Sequence, residues 1–294
     1  MSAAISVIMP VHNRAEVLPR AIQSVLDQRL SDFELIIVDD GSTDDSVPVA
    51  RSFDDPRIRI IELGSNRGGN AARNQGITAA QAPLIAFLDS DDCYLPEKLE
   101  WVVAEFRRRP ELQLLIDSFE KVQPPGSAKL RVTRMNPVIN DRQTFRRALF
   151  TRRLWKATPS ITVRRETILG AGLFDESLRR LQDFDLLIRI SECATCASTD
   201  KVLWIKYWDA AGISAQDNMI PANVELVQRH PEYLNERAYR PGLAYALRLS
   251  LWRRLKTRHL SGAMRDMRNL SRAFGSREAV RLLFEACFPR PKIQ

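Results

Sequence analysis

The first hundred residues alternate between short apolar runs and segments with apolar residues at helical spacing. The apolar runs occupy residues 5–11, 34–38, 57–63 and 84–88, and the helical stripes occupy residues 17–26, 71–77 and 99–106. Apolar runs of this length are typical of strands buried on both faces of a parallel sheet. Their alternation with helices predicts βαβ units with right-handed crossovers, and therefore an α/β fold.

Polar clusters follow three of the predicted strands. They are Pro10-Val11-His12-Asn13, Asp39-Asp40-Gly41-Ser42 and Asp89-Ser90-Asp91-Asp92, and we expect Pro10 to end its strand. In a parallel sheet these ends share one edge, where ligands bind. Carboxylates gathered there require a neutralising cation, and oxygen ligands favour Mg²⁺ or Mn²⁺. The alternative, that the acids cap turns and helix starts, suits one cluster better than three.

Composition restricts the class of protein. The chain has 294 residues, of which 45% are hydrophobic and 27% charged, as in globular proteins. No run approaches the ~18 apolar residues of a membrane span, and we see no signal peptide. Four cysteines do not form a disulfide framework, so we expect a reducing cytoplasm. The isolated pair Cys193 and Cys196 lacks further zinc ligands, and we expect ordinary burial.

Charge is distributed unevenly along the chain. Residues 1–100 carry 9 Lys/Arg and 16 Asp/Glu, whereas residues 221–294 carry 15 Lys/Arg and 6 Asp/Glu. Amphipathic helices are predicted at 243–255, 260–274 and 280–287. Two interpretations of residues 240–294 remain open. They form a cap packed on the rest of the chain or on a homodimer partner, or they dock peripherally on an anionic membrane.

Five segments then resemble a known family in content and order. They are SVIMPVHNRAEVL (6–18), DFELIIVDDGSTDDS (32–46), NRGGNAARNQGI (66–77), IAFLDSDDCYLPEKL (85–99) and GLFDESLRRLQDFDLLIRI (172–190). Together they resemble the inverting nucleotide-sugar glycosyltransferases of family two. The resemblance implies a GT-A fold, which has a Rossmann-like, mostly parallel central sheet flanked by helices, here with a helical C-terminal extension. It also implies a catalytic domain at 1–220, with nucleotide-binding and acceptor halves at about 1–110 and 111–220, and a basic extension at 221–294.

The resemblance also implies how the donor is bound. Asp40 would accept a hydrogen bond from the base, which suits the imide N–H of a uridine or thymidine donor, and Asp39 would support the same turn. Arg73 would lie near the base and ribose, or would be a solvated helix arginine. Asp91 of the DxD motif would bind Mn²⁺ or Mg²⁺, and Asp89 would reach the ribose or the metal. The remaining nucleotide contacts would come from Pro10, Val11, His12, Asn13 and Ser90.

The catalytic base implied by the resemblance is Asp183, near the start of a helix in LQDFDLLIRI. Gln182 replaces the acidic residue that the family usually has before it, and Asp185 would orient neighbouring groups. An N-cap is the alternative role for Asp183. The segment GAGLFDESL (170–178) would lie under the acceptor, or would be a plain loop; its candidate residues are Gly172, Asp175 and Glu176.

The segment WIKYWDAAGIS (204–214) departs from the family. Many relatives have an arginine and a histidine in a closing segment. Lys206 would serve for the arginine, whereas the histidine position holds Asp209 or Ala210. Trp208 would pack on the acceptor sugar or fill core.

The predicted function is metal-dependent, inverting transfer of a sugar from a nucleotide-diphosphate sugar, most simply a UDP-sugar. The acceptor would be a hydroxyl of a glycan or lipid-linked molecule in surface polysaccharide or cell-envelope synthesis, at the inner face of the membrane. A nucleotidyltransferase would need a glycine-rich loop where PVHNRAEVL stands, and a dehydrogenase would need GxGxxG after the first strand. An inactive nucleotide-binding module would tolerate loss of Asp91 or Asp183, yet both are present. No nucleic-acid-binding motif is recognised.

Overall fold

The computed structural model describes residues 3–127, 129–208, 219–256 and 260–285. The chain separates into two compact units. The sheet unit comprises Met1–Phe145, Leu154–Leu178 and Gln182–Ala210, and the helical unit comprises Arg146–Arg153, Arg179–Leu181 and Ala211–Gln294. The sequence-based division placed 146–153 and 179–181 with the first domain. The contact of Phe150 with Tyr239, whose ring centroids are 4.2 Å apart, is one reason why residues 146–153 belong to the helical unit instead.

The sheet unit contains one large sheet of nine strands among the described residues. The strands are β1 (Ile5–Val11), β2 (Phe33–Asp39), β3 (Ile58–Glu62), β4 (Leu84–Phe87), β5 (Cys93–Tyr94), β6 (Leu114–Val122), β7 (Arg131–Arg134), β8 (Ile161–Arg164) and β9 (Cys196–Lys206). Their order is β3-β2-β1-β4-β8-β6-β9-β5, with β7 paired to β6. Strands β1 to β4 are parallel to one another, as predicted.

The second half of the sheet is mixed. Strand β8 is antiparallel to both β4 and β6, β5 is antiparallel to β9, and β7 is antiparallel to β6, whereas β6 and β9 are parallel. Strand β8 therefore joins the parallel half, which carries the acidic clusters, to the half that carries β9. Lys206, the last residue of β9, is thereby brought to the region of the acids that follow β4.

Pro10 does not end the first strand, contrary to the expectation. Strand β1 continues through Val11, with Pro10 opposite Val38 of β2. On the other side, β4 pairs only as far as Ile8, whose carbonyl accepts from the N–H of Leu88. The backbone N–H and C=O groups of residues 8 and 10 point toward the same neighbouring strand, β4, because successive residues of a strand alternate in direction. The N–H that proline lacks therefore falls beyond the end of β4, and no ladder bond is lost.

Seven helices belong wholly or partly to the sheet unit. They are α1 (Leu18–Leu26), α2 (Ser46–Arg51), α3 (Gly69–Ala79), α4 (Lys98–Arg108), α5 (Arg142–Phe150), α6 (Arg165–Gly170) and α7 (Gln182–Ser191), with a 3-10 turn at Thr158–Ser160. Helix α3 lies close on the sheet at Gly76, where an added Cβ would come within 2.5 Å of Ile8 Cγ2. This close approach fixes α3, and with it the side chains that α3 directs to the strand ends.

The helical unit holds α8 (Met219–Arg229), α9 (Glu232–Asn235), α10 (Arg240–Lys256), α11 (Leu260–Phe274) and α12 (Ser276–Glu285). The last three correspond to the three predicted amphipathic helices. Across the described ranges, none of the helices combines the length and the apolar character that crossing a membrane requires. Cys196 is buried, but Cys193 is exposed, which corrects the expectation of burial for that residue.

A buried ion pair lies in the core of the sheet unit. Lys98 at the start of α4 and Asp117 on β6 are fully buried, and the Lys98 ammonium donates to the Asp117 carboxylate and, at 3.0 Å, to the carbonyl of Pro159. Burial raises the pKa of Asp117 to about 6 although the charge of Lys98 opposes this. The pair ties α4 and β6 to the turn at Thr158–Ser160.

We expect Lys98→Met to lower the free energy of unfolding by about 3–5 kcal/mol, because it leaves a buried carboxylate without its cation. The double variant Lys98→Met/Asp117→Leu removes both charges and should recover most of that loss. Urea denaturation of the three proteins measures the effect. A single variant as stable as the parent would show that the pair does not hold these elements together.

Candidate functional site

The first two polar clusters are joined at the ends of β1 and β2. The N–H of Asp40 donates to the carbonyl of Val11, and His12 Nδ1 lies 2.9 Å from the carbonyl oxygen of Asp40. Asn13 has a left-handed backbone with φ +53°, and its side-chain Oδ1 accepts from the N–H of Thr43 at 2.8 Å. Two strand ends far apart in sequence therefore form one hydrogen-bonded rim.

Asp40 holds the loop that follows β3. Its two carboxylate oxygens accept from the backbone N–H groups of Arg67 at 2.7 Å and Gly68 at 2.8 Å, and the residue is buried. The alternative interpretation, in which the acids of this cluster cap turns, therefore applies in part to Asp40. A carboxylate has about four lone-pair sites, so two remain for a further donor.

Two buried polar atoms at this rim have no hydrogen-bond partner among the described residues. One is Asp39 Oδ1, whose companion Oδ2 accepts from the N–H of Ser42 at 3.0 Å. The other is Arg73 Nε on α3. Because buried polar atoms are nearly always paired in proteins, such atoms indicate a place where a ligand or water completes the hydrogen bonding.

The third cluster forms an acidic centre with two cations. Arg73 Nη2 donates to Asp89 Oδ1 at 2.7 Å, and Lys206 Nζ lies 3.5 Å from Asp92 Oδ2. Asp92 is fully buried, and its other oxygen accepts from the N–H of Tyr207 at 2.9 Å. Arg73 is buried, so it is not the solvated helix arginine of the alternative interpretation.

The carboxylates of the acidic centre differ in how readily they ionise. Burial would raise the pKa of Asp89, but the charges of Arg73 and Lys206 lower it below the ordinary value. Burial, with the negative charge of Asp89, raises the pKa of Asp91. Burial raises the pKa of Asp92 well above its ordinary value, although Lys206 opposes the shift. Asp91 and Asp92 therefore ionise less readily than ordinary aspartates, although Lys206 acts on both and Arg14 acts on Asp91.

The acidic centre fits a divalent metal ion by its donor set. Carboxylate oxygens are the ligands that Mg²⁺ and Mn²⁺ prefer. Burial and the charge of Asp89 raise the pKa of Asp91 against the charges of Lys206 and Arg14, so a further positive charge would stabilise its ionised form. Asp91 and Asp89 are the residues that would hold the ion. Asp92 has a different position, since it is buried between Lys206 and the backbone of Tyr207.

Asp92 and Arg20 have contacts at this site that sequence reasoning did not assign. Arg20 on α1 donates to the carbonyl of Asp91 at 2.8 Å and lies over the ring of Tyr207 at 3.6 Å. Asp92 was noted only as a third acid of the cluster. Its partner Lys206 is more than a hundred residues away in the sequence, and no local sequence pattern predicts such a pairing.

The segment from Gly172 to Leu178 is hydrogen-bonded to α3. Asn74 exchanges two hydrogen bonds with the backbone of Phe174, at 2.9 and 3.0 Å, and Asn70 donates to the carbonyls of Asp175 and Leu178. Gly172 has φ +82°, which glycine adopts without strain. Asn70 and Asn74 had not been singled out from the sequence, where asparagines in a helix give no distinctive signal.

The side chains of this segment are divided between local and long-range contacts. The Asp175 carboxylate accepts from the N–H and the hydroxyl of Ser177. Glu176 accepts from Asn74 Nδ2 at 3.1 Å and lies 3.5 Å from the guanidinium of Arg67. The segment is therefore held against the helix that carries Arg73.

Asp183 is the second residue of α7. One carboxylate oxygen accepts from the N–H of Phe184 at 2.8 Å, and the other lies 3.6 Å from Lys156 Nζ. Lys156, which sequence reasoning missed, also lies over the Phe184 ring at 4.2 Å. Asp185 instead pairs with Arg189, which donates to the carbonyls of Ala171 and Leu173, so it orients neighbouring groups as expected.

The segment after β9 is described only in part. Trp208 is 44% exposed, so the core-filling interpretation of this residue is wrong. Asp209 and Ala210, proposed at the position of the family's histidine, lie outside the described residues.

Comparisons with known sequences point to one family. Residues 6–168, more than half of the chain, match the family model described as Glycosyl transferase family 2. An uncharacterized glycosyltransferase of Haemophilus influenzae is 30% identical over 186 residues, which are 63% of this chain and 61% of that protein. The succinoglycan biosynthesis protein ExoO of Rhizobium meliloti is 28% identical over 286 residues, covering 89% of this chain and 80% of that protein. The chain therefore spans less than two thirds of the first relative and most of the second.

Solved structures share the fold at low sequence identity. The crystal structure of S. aureus TarS in complex with UDP-GlcNAc superposes with a TM-score of 0.66 at 16% identity, covering 96% of this chain and 90% of that chain. The mannosyltransferase PcManGT from Pyrobaculum calidifontis, in complex with GDP-Man and Mn²⁺, gives 0.61 at 17% identity, with coverages of 97% and 79%. These structures show that the chain shares the GT-A fold, and the family model shows that it belongs to glycosyl transferase family 2.

Proposed function

We propose that the protein transfers a sugar, with inversion and with the help of a divalent metal ion, from a UDP-sugar to a hydroxyl of a glycan or lipid-linked acceptor. The observation that carries the proposal is the acidic centre, in which Asp89, Asp91 and Asp92 lie together and burial keeps the pKa values of Asp91 and Asp92 raised against the charge of Lys206. A diphosphate bound there through a divalent ion complements this arrangement.

The donor nucleotide would lie along the rim formed by the ends of β1 and β2. Residues 10–13 would follow the nucleotide, and Asp40 would accept from the base with its remaining lone pairs. The buried Asp39 Oδ1 and Arg73 Nε, which have no partner among the described residues, support a ligand at this rim. The bound UDP-GlcNAc of TarS supports a uridine nucleotide, and the bound GDP-Man of PcManGT makes guanosine the comparison to test.

Asp91 and Asp89 would hold the metal ion, with Ser90 beside the nucleotide. When bound, the ion supplies positive charge that stabilises the diphosphate as it leaves. Lys206 would add a second positive charge on the same side, because the charges of Asp92, Asp89 and Asp91 raise its pKa against the effect of burial and keep it protonated. Arg73 holds Asp89 in place from the helix side.

Asp183 would remove the proton from the acceptor hydroxyl as that oxygen attacks the anomeric carbon. Attack on the face opposite the leaving diphosphate inverts the configuration of that carbon. Lys156, 3.6 Å from the carboxylate, positions it from the side of residues 154–160. The segment from Gly172 to Leu178, which includes Asp175 and Glu176, would support the acceptor. The exposed Trp208 would pack on a sugar ring.

The acceptor would belong to extracellular polysaccharide synthesis. The relative in Rhizobium meliloti is a succinoglycan biosynthesis protein, which supports a glycan as the acceptor class. This assignment is independent of the donor.

A nucleoside-diphosphate-release assay, which detects both UDP and GDP, with a panel of UDP-sugars and GDP-sugars tests the proposal. We expect release from at least one UDP-sugar in Mn²⁺, loss of release in excess EDTA and recovery when Mn²⁺ is restored. Exclusive turnover of GDP-sugars would refute the uridine donor. Turnover that continues undiminished in EDTA would refute the metal.

A further inference from the structure

The second half of α10 and the first half of α11 lie side by side in the helical unit. Arg254 of α10 forms an ion pair with Asp266 of α11. A Cβ added to Gly262 would come within 2.7 Å of the Arg254 guanidinium. Helix α10 ends at Lys256 and α11 begins at Leu260, so the two helices run in opposite directions.

Helix α12 runs back along the same pair. It starts directly after Gly275, which follows the last residue of α11 and has φ +81°. Arg240 in the first turn of α10 contacts Glu278 in the first turn of α12 at 2.5 Å. Helix α12 is therefore parallel to α10, and its last turn points toward the same end as Lys256.

Large apolar side chains are exposed at this shared end. They come from the last turns of α10 and α12 and from the second turn of α11, and they are Trp252, Leu255, Met264 and Phe284. Phe284 is 69% exposed and Trp252 is 55% exposed. We call these four side chains the apolar end. Exposed apolar groups gathered from three helices mark an interaction surface rather than scattered surface residues.

The described charged side chains that are exposed around the apolar end are basic. They are Lys256, Arg265, Arg268 and Arg281. Asp266, an acid of this region, is 2% exposed and paired with Arg254. In the sequence, residues 257–259 and 285–294 hold the three cations Arg258, Arg290 and Lys292 and one acid, Glu285. The surface thus combines apolar insertion with positive charge.

We propose that the apolar end docks on an anionic lipid surface. Apolar side chains entering the interface beneath a ring of Lys and Arg are what a negatively charged bilayer surface complements. Trp252, with Lys256 Nζ 5.1 Å from its ring, has the apolar body and polar edge that favour the interfacial layer. A second copy of the chain is disfavoured, because a two-fold interface would bring the same basic residues together.

Vesicle co-sedimentation of the full chain tests the proposal. We expect pelleting with phosphatidylcholine vesicles that contain phosphatidylglycerol, and little with phosphatidylcholine alone. Raising the salt from about 0.01 M to about 0.15 M shortens the Debye length from ~30 Å to ~8 Å and should weaken the binding. Equal pelleting with both vesicle types, or none with either, overturns the proposal.

Matched variants locate the surface. Lys256→Gln/Arg265→Gln should weaken binding to the anionic vesicles by about 25-fold, or about fivefold for each cation. Arg272→Gln/Arg277→Gln removes two exposed cations near the opposite end of α11 and the start of α12, and should weaken binding by less than about fivefold. Equal losses in the two variants overturn the assignment of the end.

The apolar part is tested by Trp252→Ser/Phe284→Ser. Both side chains are exposed, so the melting temperature should stay within about a few degrees of the parent while vesicle binding is lost. If this variant instead converts a dimer to a monomer in sedimentation velocity, and the parent does not pellet with vesicles, the apolar end belongs to a second copy. Arg254 is unsuited to these tests because it is paired inside the unit with Asp266.

Discussion

Asp183→Asn is expected to lower the rate of sugar transfer by about 10²–10⁴ and to leave UDP affinity unchanged, since that range is the usual contribution of a general base. Asparagine keeps the shape of the side chain and can still accept from the N–H of Phe184, so helix α7 should form normally. The loss should appear in the rate at saturating donor. It is measured as UDP release, with water as the acceptor where no glycan acceptor is supplied.

Asp185 gives the matched comparison on the same helix. Its carboxylate is buried and paired with Arg189, which in turn holds the carbonyls of Ala171 and Leu173. Asp185→Asn should therefore lower the melting temperature more than it lowers the rate per folded molecule. If Asp183→Asn retained transfer while Asp185→Asn lost it at unchanged stability, the base would have to be Asp185.

Much of the nucleotide-binding half could be predicted from sequence because its signals are local. A buried parallel strand is a short apolar run, and the residues after it lie at the ligand edge whatever the rest of the chain does. Strands β1 to β4 and the clusters at 10–13, 39–42 and 89–92 follow from this rule. The helix stripes of the tail are local in the same way, and α10, α11 and α12 follow from them.

The remainder of the site depends on pairings that leave no local trace. Strands β8 and β9 enter the sheet next to β4 and β6 through contacts across long sequence separations, and these bring Lys206 to Asp92. The contact of Lys156 with Asp183 arises in the same way. Pro10 was misread because its effect depends on where the neighbouring strand ends, which the proline itself does not report.

Asp91→Asn is expected to remove the part of UDP binding that depends on Mn²⁺ and to lower transfer by about 10²–10³, the usual loss when one group that stabilises developing charge is removed. Affinity for UDP in EDTA should not change, since Asp91 would contact the nucleotide through the metal. Because burial and Asp89 raise the pKa of Asp91, the Mn²⁺-dependent part should fade on acidification at a higher pH than for an ordinary aspartate.

Asp54→Asn is the matched control for this variant. Asp54 is an exposed carboxylate that precedes β3, at the opposite end of the strand from the acidic centre. The Asp54→Asn variant should bind UDP with the same affinity as the parent, both in Mn²⁺ and in EDTA. A reduced Mn²⁺ response in both variants would mean that general charge, rather than the DxD carboxylate, governs the binding.

Isothermal titration of UDP into the parent protein and Asp91→Asn, each in Mn²⁺ and in EDTA, is the most direct test of a metal-dependent uridine nucleotide site. A charge-assisted contact contributes about 1.5–3 kcal/mol, so Mn²⁺ should raise the parent's affinity by about 10–100-fold. In Asp91→Asn the two affinities should be equal. The same UDP affinity for the parent in Mn²⁺ and EDTA, or no UDP binding in either, would contradict the account.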